Sequence, residues 1–446
     1  MGYRSDGRLF GRHTGWAMLG VVLALAVLVG CATTQESNDG GVDAAGVSAA
    51  SSREADAGPG LAPSDERVQT IQLYANGTER QLPVLSLRTP GEGLTLEFDL
   101  MEPTGRPLSV YFYHADREWD RDLSPAEYMD SFQDDNLLTY TPSRGTAVSY
   151  THYTYQFPND NIQFRVSGNY ILRVTEQGQR ANVLFERAFF ITEEAGSIAM
   201  RIDGVPVSGQ QRPSDLPLVQ FTPSPSLQGT PFQYETCFVR NGRLATARCT
   251  DRPRLASQPT LEFDLYRRRA FSPTTADYYL DLSALRNGGS IEGTDRTVTP
   301  YRVRLQPDYA QFPGNIATAP PLDGQIVVDG AVRGFGEPDV EAEYVATQFR
   351  FVPPGEQPLS QGVYLDGNFG EPTRMTWQAA QGRYEGERLL KQGLYEYYYT
   401  SDDPALQEML RRTLPPARDR YTAFVYYRDR TLNTDRLVAV QTVQTR

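Results

Sequence analysis

From Tyr150 to Phe157 the chain is rich in the aromatic and β-branched types that suit a pleated surface, and Pro158-Asn159-Asp160-Asn161 then ends the run. Ser167-Gly168-Asn169 predicts a second turn, after which Tyr170-Ile171-Leu172-Arg173-Val174 resumes as a strand that a sandwich core covers on one face. Upstream, Leu94, Leu96, Phe98 and Leu100 occupy alternate positions, the period of a half-buried strand. Ile71 to Tyr74, a turn at Asn76-Gly77 and Leu82 to Leu87 predict a hairpin, and Val183 to Ile191 closes this first unit. Between them, Tyr111 to Asp135 reads as strand, loop and short helix. Ser124 caps that helix, and Pro125 takes its first position, where a missing N–H costs nothing.

The same punctuation continues to the C-terminus. A chain of 446 residues exceeds one core, and its 38 Gly and 31 Pro divide it into many short strands. The expectation is an all-β protein of three consecutive immunoglobulin-like or β-sandwich domains, over 68–196, 197–322 and 323–446. In the last of these, Tyr395, Tyr397 and Tyr399 must share one face of a strand, with Glu396 and Tyr398 on the other. Flanking Leu389 and Leu394 favour burial of the three rings, which leaves too little for a sugar platform.

The first 67 residues follow a different pattern. Arg4, Arg8 and Arg12 precede an apolar run from Ala17 to Val29, the layout of a secretory signal over 1–30. Leu28-Val29-Gly30-Cys31 resembles a bacterial lipobox, which makes Cys31 the lipid attachment site; the alternative is an uncleaved anchor helix. Residues 31–67 hold few large apolar groups and read as a disordered tether. Acyl chains then hold the protein to the membrane with no protein–lipid surface needed. Ala32-Thr33-Thr34-Gln35 carries no acidic run of the kind associated with surface export, so the folded part is expected to face the periplasm.

A net charge of −12 argues against nucleic acid and anionic lipid head groups as partners, since both require a basic surface. Almost all of the 43 basic residues are arginine, Lys391 being an exception. Three histidines, one of them His13 in the signal, leave little for acid–base catalysis. His114 with Asp116 offers a metal or proton-transfer pair, and His152 the same, but hydrogen-bonded structural roles are commoner for both. With no phosphate loop, nucleophile elbow or zinc-helix motif, the expectation is no enzyme, no cofactor and no metal.

The second segment carries a cysteine pair. Asn241-Gly242 marks a turn, and Cys237 and Cys249 are equally distant from Arg243, so a symmetric hairpin sets them opposite each other at a disulfide's spacing. The alternative is two reduced thiols on opposite faces. With Cys31 lipidated, no thiol is left over.

One ordered series of residues is more specific than any of these. His114, Asp116, Trp119, Leu123-Ser124-Pro125, Glu127-Tyr128, Tyr150-Thr151-His152-Tyr153, Phe157-Pro158-Asn159 and Ser167-Gly168-Asn169-Tyr170 together resemble the first domain of the type IX secretion system plug proteins. Gln72-Leu73-Tyr74, Leu82-Pro83 and Leu96-Glu97-Phe98-Asp99 extend the resemblance over 68–192, with Ala115 standing where relatives are expected to carry cysteine. The resemblance implies a lipoprotein of the outer membrane that binds a large β-barrel translocon and blocks its pore by shape. Trp119, Tyr128 and His152 are its candidate partner contacts. The third segment resembles early-set immunoglobulin-like domains, including glycogen-binding modules, through Gly367-Asn368-Phe369, Gly382-Arg383-Tyr384 and Lys391-Gln392-Gly393. The alternatives to a plug are a carbohydrate-binding lipoprotein and a passive multidomain scaffold.

Overall fold

The computed structural model describes residues 59–75, 79–89, 91–208, 212–227, 229–257, 259–311, 322–328 and 334–445. The signal, Cys31, most of the tether and the Asn76-Gly77 turn lie outside them. Alternating apolar residues give nine strands in the first unit: β1 (Val68–Ala75), β2 (Val84–Ser86), β3 (Leu94–Leu100), β4 (Leu108–Ala115), β5 (Asp134–Leu137), β6 (Tyr140–Pro142), β7 (Thr151–Phe157), β8 (Gly168–Glu176) and β9 (Val183–Thr192). Helix α1 (Pro125–Tyr128) is one turn, opened by Ser124, whose backbone N–H and hydroxyl both donate to the Glu127 carboxylate. The strands form two sheets, β1-β3-β7-β6 and β2-β9-β8-β4-β5. Phe98, Phe112, Tyr153, Phe157, Phe185 and Phe189 fill the core between them.

Two local expectations are corrected here. β1 pairs with β3 and not with β2, which instead runs parallel to β9 in the opposite sheet, so Ile71 to Leu87 is no hairpin. β3 is buried on both faces: Thr95, Glu97 and Asp99 are covered as well as the leucines, because a later part of the chain lies over them. The end of the expected tether is likewise held down. Leu61 packs on Tyr111, Tyr113 and Ile171, Ala62 N–H donates to Glu186 Oε2 at 2.8 Å, and Asp65 N–H donates to the Leu184 carbonyl at 2.8 Å.

The second sandwich begins with β10 (Gly196–Val205), β11 (Ser214–Pro223), β12 (Tyr234–Arg240), β13 (Arg243–Thr250), β14 (Arg254–Ser257) and β15 (Thr260–Asp264). The third holds β16 (Tyr278–Asp281), β17 (Ile291–Asp295), β18 (Tyr301–Leu305), β19 (Asp308–Tyr309), α2 (Pro338–Glu341) and β20 (Tyr344–Val352). It continues with β21 (Val363–Gly367), β22 (Thr373–Arg374), β23 (Thr376–Gln378), β24 (Arg383–Lys391), β25 (Leu394–Ser401) and α3 (Pro404–Thr413). Then β26 (Arg420–Asp429) and β27 (Thr434–Gln444) return to the second sandwich, in the sheet β13-β12-β26-β27 opposite β10-β11-β15-β14.

That return corrects the expected boundary at 322/323. β26 pairs with β12 from Tyr234↔Tyr427 to Arg240↔Tyr421, and Tyr421, Val425 and Val438 share a core with Phe221, Phe238 and Phe263. The third sandwich is therefore inserted into the second, between Phe271 and Arg420. Its two connections run side by side, with Ala276 N–H donating to the Pro415 carbonyl (3.0 Å) and Ala417 N–H to the Thr274 carbonyl (3.2 Å). Adjacent chain ends are what make such an insertion tolerable. Within the insert, Tyr395, Tyr397 and Tyr399 face inward and are buried, with Tyr397 and Tyr399 donating to Asp308 Oδ2 at 2.8 and 2.7 Å.

The cysteine hairpin also differs in register from a symmetric one. Asn241 (φ 51°) and Gly242 (φ 65°) form a two-residue turn that pairs Arg240 with Arg243. Extra residues on β13 then bulge, Thr246 Oγ1 accepting the Arg240 N–H, so that Cys237 comes opposite Cys249. The two are joined as a disulfide with Cα atoms 4.0 Å apart.

Candidate functional site

The outer face of the β3–β7 ladder is the place where the first sandwich is covered by the third. Asp99 on β3 is wholly buried there. Its Oδ1 accepts His152 Nδ1 from β7 at 2.8 Å, and its Oδ2 accepts both Tyr344 OH from β20 and Lys391 Nζ from β24 at 2.7 Å. Lys391 Nζ also donates to the Asp339 carbonyl (2.5 Å) and lies 4.5 Å above the Tyr150 ring. Tyr150 OH in turn donates to the Ala342 carbonyl (2.8 Å). Burial alone would raise the Asp99 pKa, but the Lys391 ammonium and the His152 hydrogen bond outweigh it and hold the carboxyl below its usual value. Lys391 is the only lysine in the chain. A compact ammonium with three donors reaches a carboxylate and a carbonyl at once.

Beside this node, Glu97 Oε2 accepts Tyr74 OH at 2.8 Å while Oε1 lies 4.0 Å from His152 Nε2. Burial, then the nearby Asp339 carboxylate, push the Glu97 pKa up to about 7.

The other side of the first sandwich meets the second through an apolar joint. Asp116, Asp120 and Trp119 form a tight loop, with Asp120 N–H donating to Asp116 Oδ1 (3.0 Å) and Trp119 held at φ 70°. That loop turns the Trp119 indole edge-on to Phe190, whose own ring lies tilted against Phe424 of β26 with centroids 4.3 Å apart. Cys237, Val239, Tyr426 and Leu437 complete the cluster. Polar bonds flank it: Tyr426 OH donates to Asn169 Oδ1 (2.8 Å), and Arg436 grips both oxygens of Glu193 (2.7 and 2.5 Å).

These positions correct the expected partner contacts. Tyr128 is 1% exposed and donates its hydroxyl to the Phe112 carbonyl at 2.8 Å; His152 is 6% exposed and committed to Asp99. Neither ring is available to a partner. Trp119 is half-buried and already packed on Phe190. His114 is structural in the same way, bonding Asp122 Oδ1 (2.7 Å) and the Ser167 carbonyl (3.2 Å).

What the first sandwich does expose is a short edge strand. β5 is the last strand of its sheet, and Phe132, Asp134, Asn136 and Leu138 all point outward along it, Phe132 71% and Leu138 60% exposed. The two acid-or-amide positions between them keep the edge polar. The sequence signal was the alternation Phe132-Gln-Asp-Asp-Asn-Leu-Leu138, whose even positions are opposite in phase to the buried Leu137.

Residues 68–193 match the family model described as type 9 secretion system plug protein 1st domain. The first sandwich is thus similar to the first domain of type 9 secretion system plug proteins. Its core, α1 and the β5 edge all fall inside the match. The whole chain is also similar in fold to a hypothetical protein from Parabacteroides merdae, with a TM-score of 0.75 and 23% identity over 86% of this chain and 99% of that one. That likeness shows the fold alone. Red sea bream transglutaminase (TM-score 0.17, 10% identity, 48% of this chain and 28% of that one) and Escherichia coli alpha-2-macroglobulin (0.19, 11%, 87% and 24%) are too distant to carry any argument. No curated protein matches the chain.

Proposed function

We propose that this chain is a non-catalytic, lipid-tethered protein of the bacterial envelope that seats against the β-barrel translocon of a type 9 secretion system and blocks or gates its pore from the periplasmic side. The plug-family first domain over 68–193 carries the reading. The architecture supports it physically. A plug works by holding its shape against a lumen, and here the family domain is held to the second sandwich by the Trp119–Phe190–Phe424 cluster and to the third by the Asp99 node. Phe132 and Leu138 on the β5 edge are the apolar anchors offered to the barrel in place of Trp119, Tyr128 and His152. Cys31 supplies the lipid anchor, and among the described residues no helix is long and apolar enough to cross a membrane.

The test is affinity purification of the tagged chain from detergent-solubilised envelopes. Recovery of a large β-barrel protein supports the plug, and recovery of none removes it. Loss of metabolic lipid labelling on Cys31→Ala tests the anchor. Carbohydrate binding is disfavoured by the inward burial of Tyr395, Tyr397 and Tyr399.

A further inference from the structure

Three groups of potential ligand atoms converge among the described residues: Glu235 with the disulfide sulfurs, Asp116 with Glu118 and Asp435, and Glu97 with His152 and Asp339. The first is spent on the disulfide and the second is carboxylate only. The third differs in having an imidazole whose orientation is already fixed. Asp99 Oδ1 can only accept, so its 2.8 Å contact places a proton on His152 Nδ1 and turns Nε2, the nitrogen that carries the lone pair in the neutral ring, toward the cluster. A carboxylate behind a histidine is the arrangement that orients imidazole toward a metal.

The distances agree with that reading. Nε2 and Glu97 Oε1 are 4.0 Å apart, too far for a hydrogen bond, and one ligand atom from each of Glu97, His152 and Asp339 lies within 4.8 Å of the others. Tetrahedral metal–ligand bonds of about 2.0–2.2 Å set donors about 3.3–3.6 Å apart, so the three side chains stand slightly open and would draw in around one ion. Tyr74 OH fixes the other Glu97 oxygen at 2.8 Å, which aims Oε1 inward. Thr154 Oγ1, 3.2 Å from Nε2, is the protein's own competitor for the lone pair. Lys391 Nζ is engaged by Asp99 Oδ2 and by the Asp339 carbonyl.

We propose that Glu97, His152 and Asp339 form a binding site for a divalent zinc ion, with water completing the coordination. One imidazole and two carboxylates suit zinc better than magnesium or calcium, which take oxygen alone. Glu97 and His152 come from β3 and β7 of the plug-family sandwich and Asp339 from α2 of the inserted one, so the ion staples the two together. This is independent of the plug reading: it concerns how the family domain is held, whatever it binds.

The full chain, stripped with a chelator, is titrated with zinc by calorimetry. One equivalent is expected, with a higher melting temperature, and X-ray absorption at the zinc edge is expected to report one imidazole in the coordination shell. Glu97→Gln and Asp339→Asn should each weaken binding by at least about tenfold, while Glu118→Gln leaves it unchanged. Equal zinc uptake by these variants and wild type overturns the proposal. So does a zinc shell without imidazole in the wild type, a reading that stands even if Glu97→Gln fails to fold.

Discussion

Lys391 Nζ lies 2.7 Å from Asp99 Oδ2 although the two residues are 292 positions apart, and each side chain is 1% exposed. The only lysine of the chain thus sits where the family domain is covered by the inserted sandwich. Removing it leaves a buried carboxylate with only His152 and Tyr344. Lys391→Met is expected to cost about 3–5 kcal/mol, the range for breaking one side of a buried pair. The double variant Asp99→Asn/Lys391→Met should recover part of that loss, because neither charge then remains uncompensated. Urea unfolding of both variants and of Asp99→Asn closes the cycle, and simple additivity would show that the pair is not coupled.

The two halves of that pair also mark what was and was not legible in the sequence. The alternation of Leu94, Leu96, Phe98 and Leu100 gave β3 and its core face, and Ser124-Pro125 gave α1, since both are local signals of period or capping. The opposite face of β3 carries Thr95, Glu97 and Asp99, which read as solvated until Tyr344 and Lys391 arrive from far along the chain. No local period encodes such cover. The same limit explains the domain boundary: β26 and β27 look like the end of the third unit, and only their pairing with β12 assigns them to the second. Partner contacts failed for a related reason. An aromatic residue such as Tyr128 carries the same sequence signal whether its ring is displayed or packed beneath a sheet, and the hydroxyl bond to Phe112 decides it.

Gly168 opens β8 at φ 152°, and a Cβ there would stand 2.4 Å from His114 Nε2 and 3.3 Å from the Asp435 carbonyl. His114 cannot give way without leaving Asp122. Gly168→Ala is expected to cost about 1–3 kcal/mol through backbone strain alone, with more from the displaced ring. A thermal melt unchanged within one degree would contradict this close approach.

Glu396 on β25 is 6% exposed, and its Oε1 accepts the Leu322 N–H at 2.9 Å. Burial first, then the Asp277 carboxylate, push its pKa up to about 7, with Asp323 adding to the rise and Arg243 opposing it. A carboxyl whose folded pKa lies above its unfolded value binds the proton more tightly when folded. Its contribution therefore disfavours the folded state increasingly as pH rises from about 4.3 to 7, by at most about 4 kcal/mol in all. Glu396→Gln keeps the acceptor and removes the titration. The variant is expected to match wild type near pH 4.5 and to exceed its stability at pH 8; melting curves at the two pH values that shift in parallel would reject the assignment.

The final prediction separates display from packing in the plug-family domain. Phe132 and Leu138 are exposed on the β5 edge, while Trp119 is wedged between the first and second sandwiches against Phe190. If the edge meets the translocon, Phe132→Asp with Leu138→Asp should abolish recovery of the barrel in affinity purification while changing stability by no more than about 0.5 kcal/mol per site, as surface substitutions do. Trp119→Ala should behave in the opposite sense at the level of stability, costing about 3–4 kcal/mol from the loss of a packed ring. Weakened capture by that variant should then follow its unfolded fraction. The two variants must therefore be compared at a temperature where both are folded by circular dichroism. Under that condition the edge pair should lose the barrel and the tryptophan variant should keep it; the reverse result would move the contact from β5 to the Trp119 loop and return the sequence-based assignment of that residue to favour.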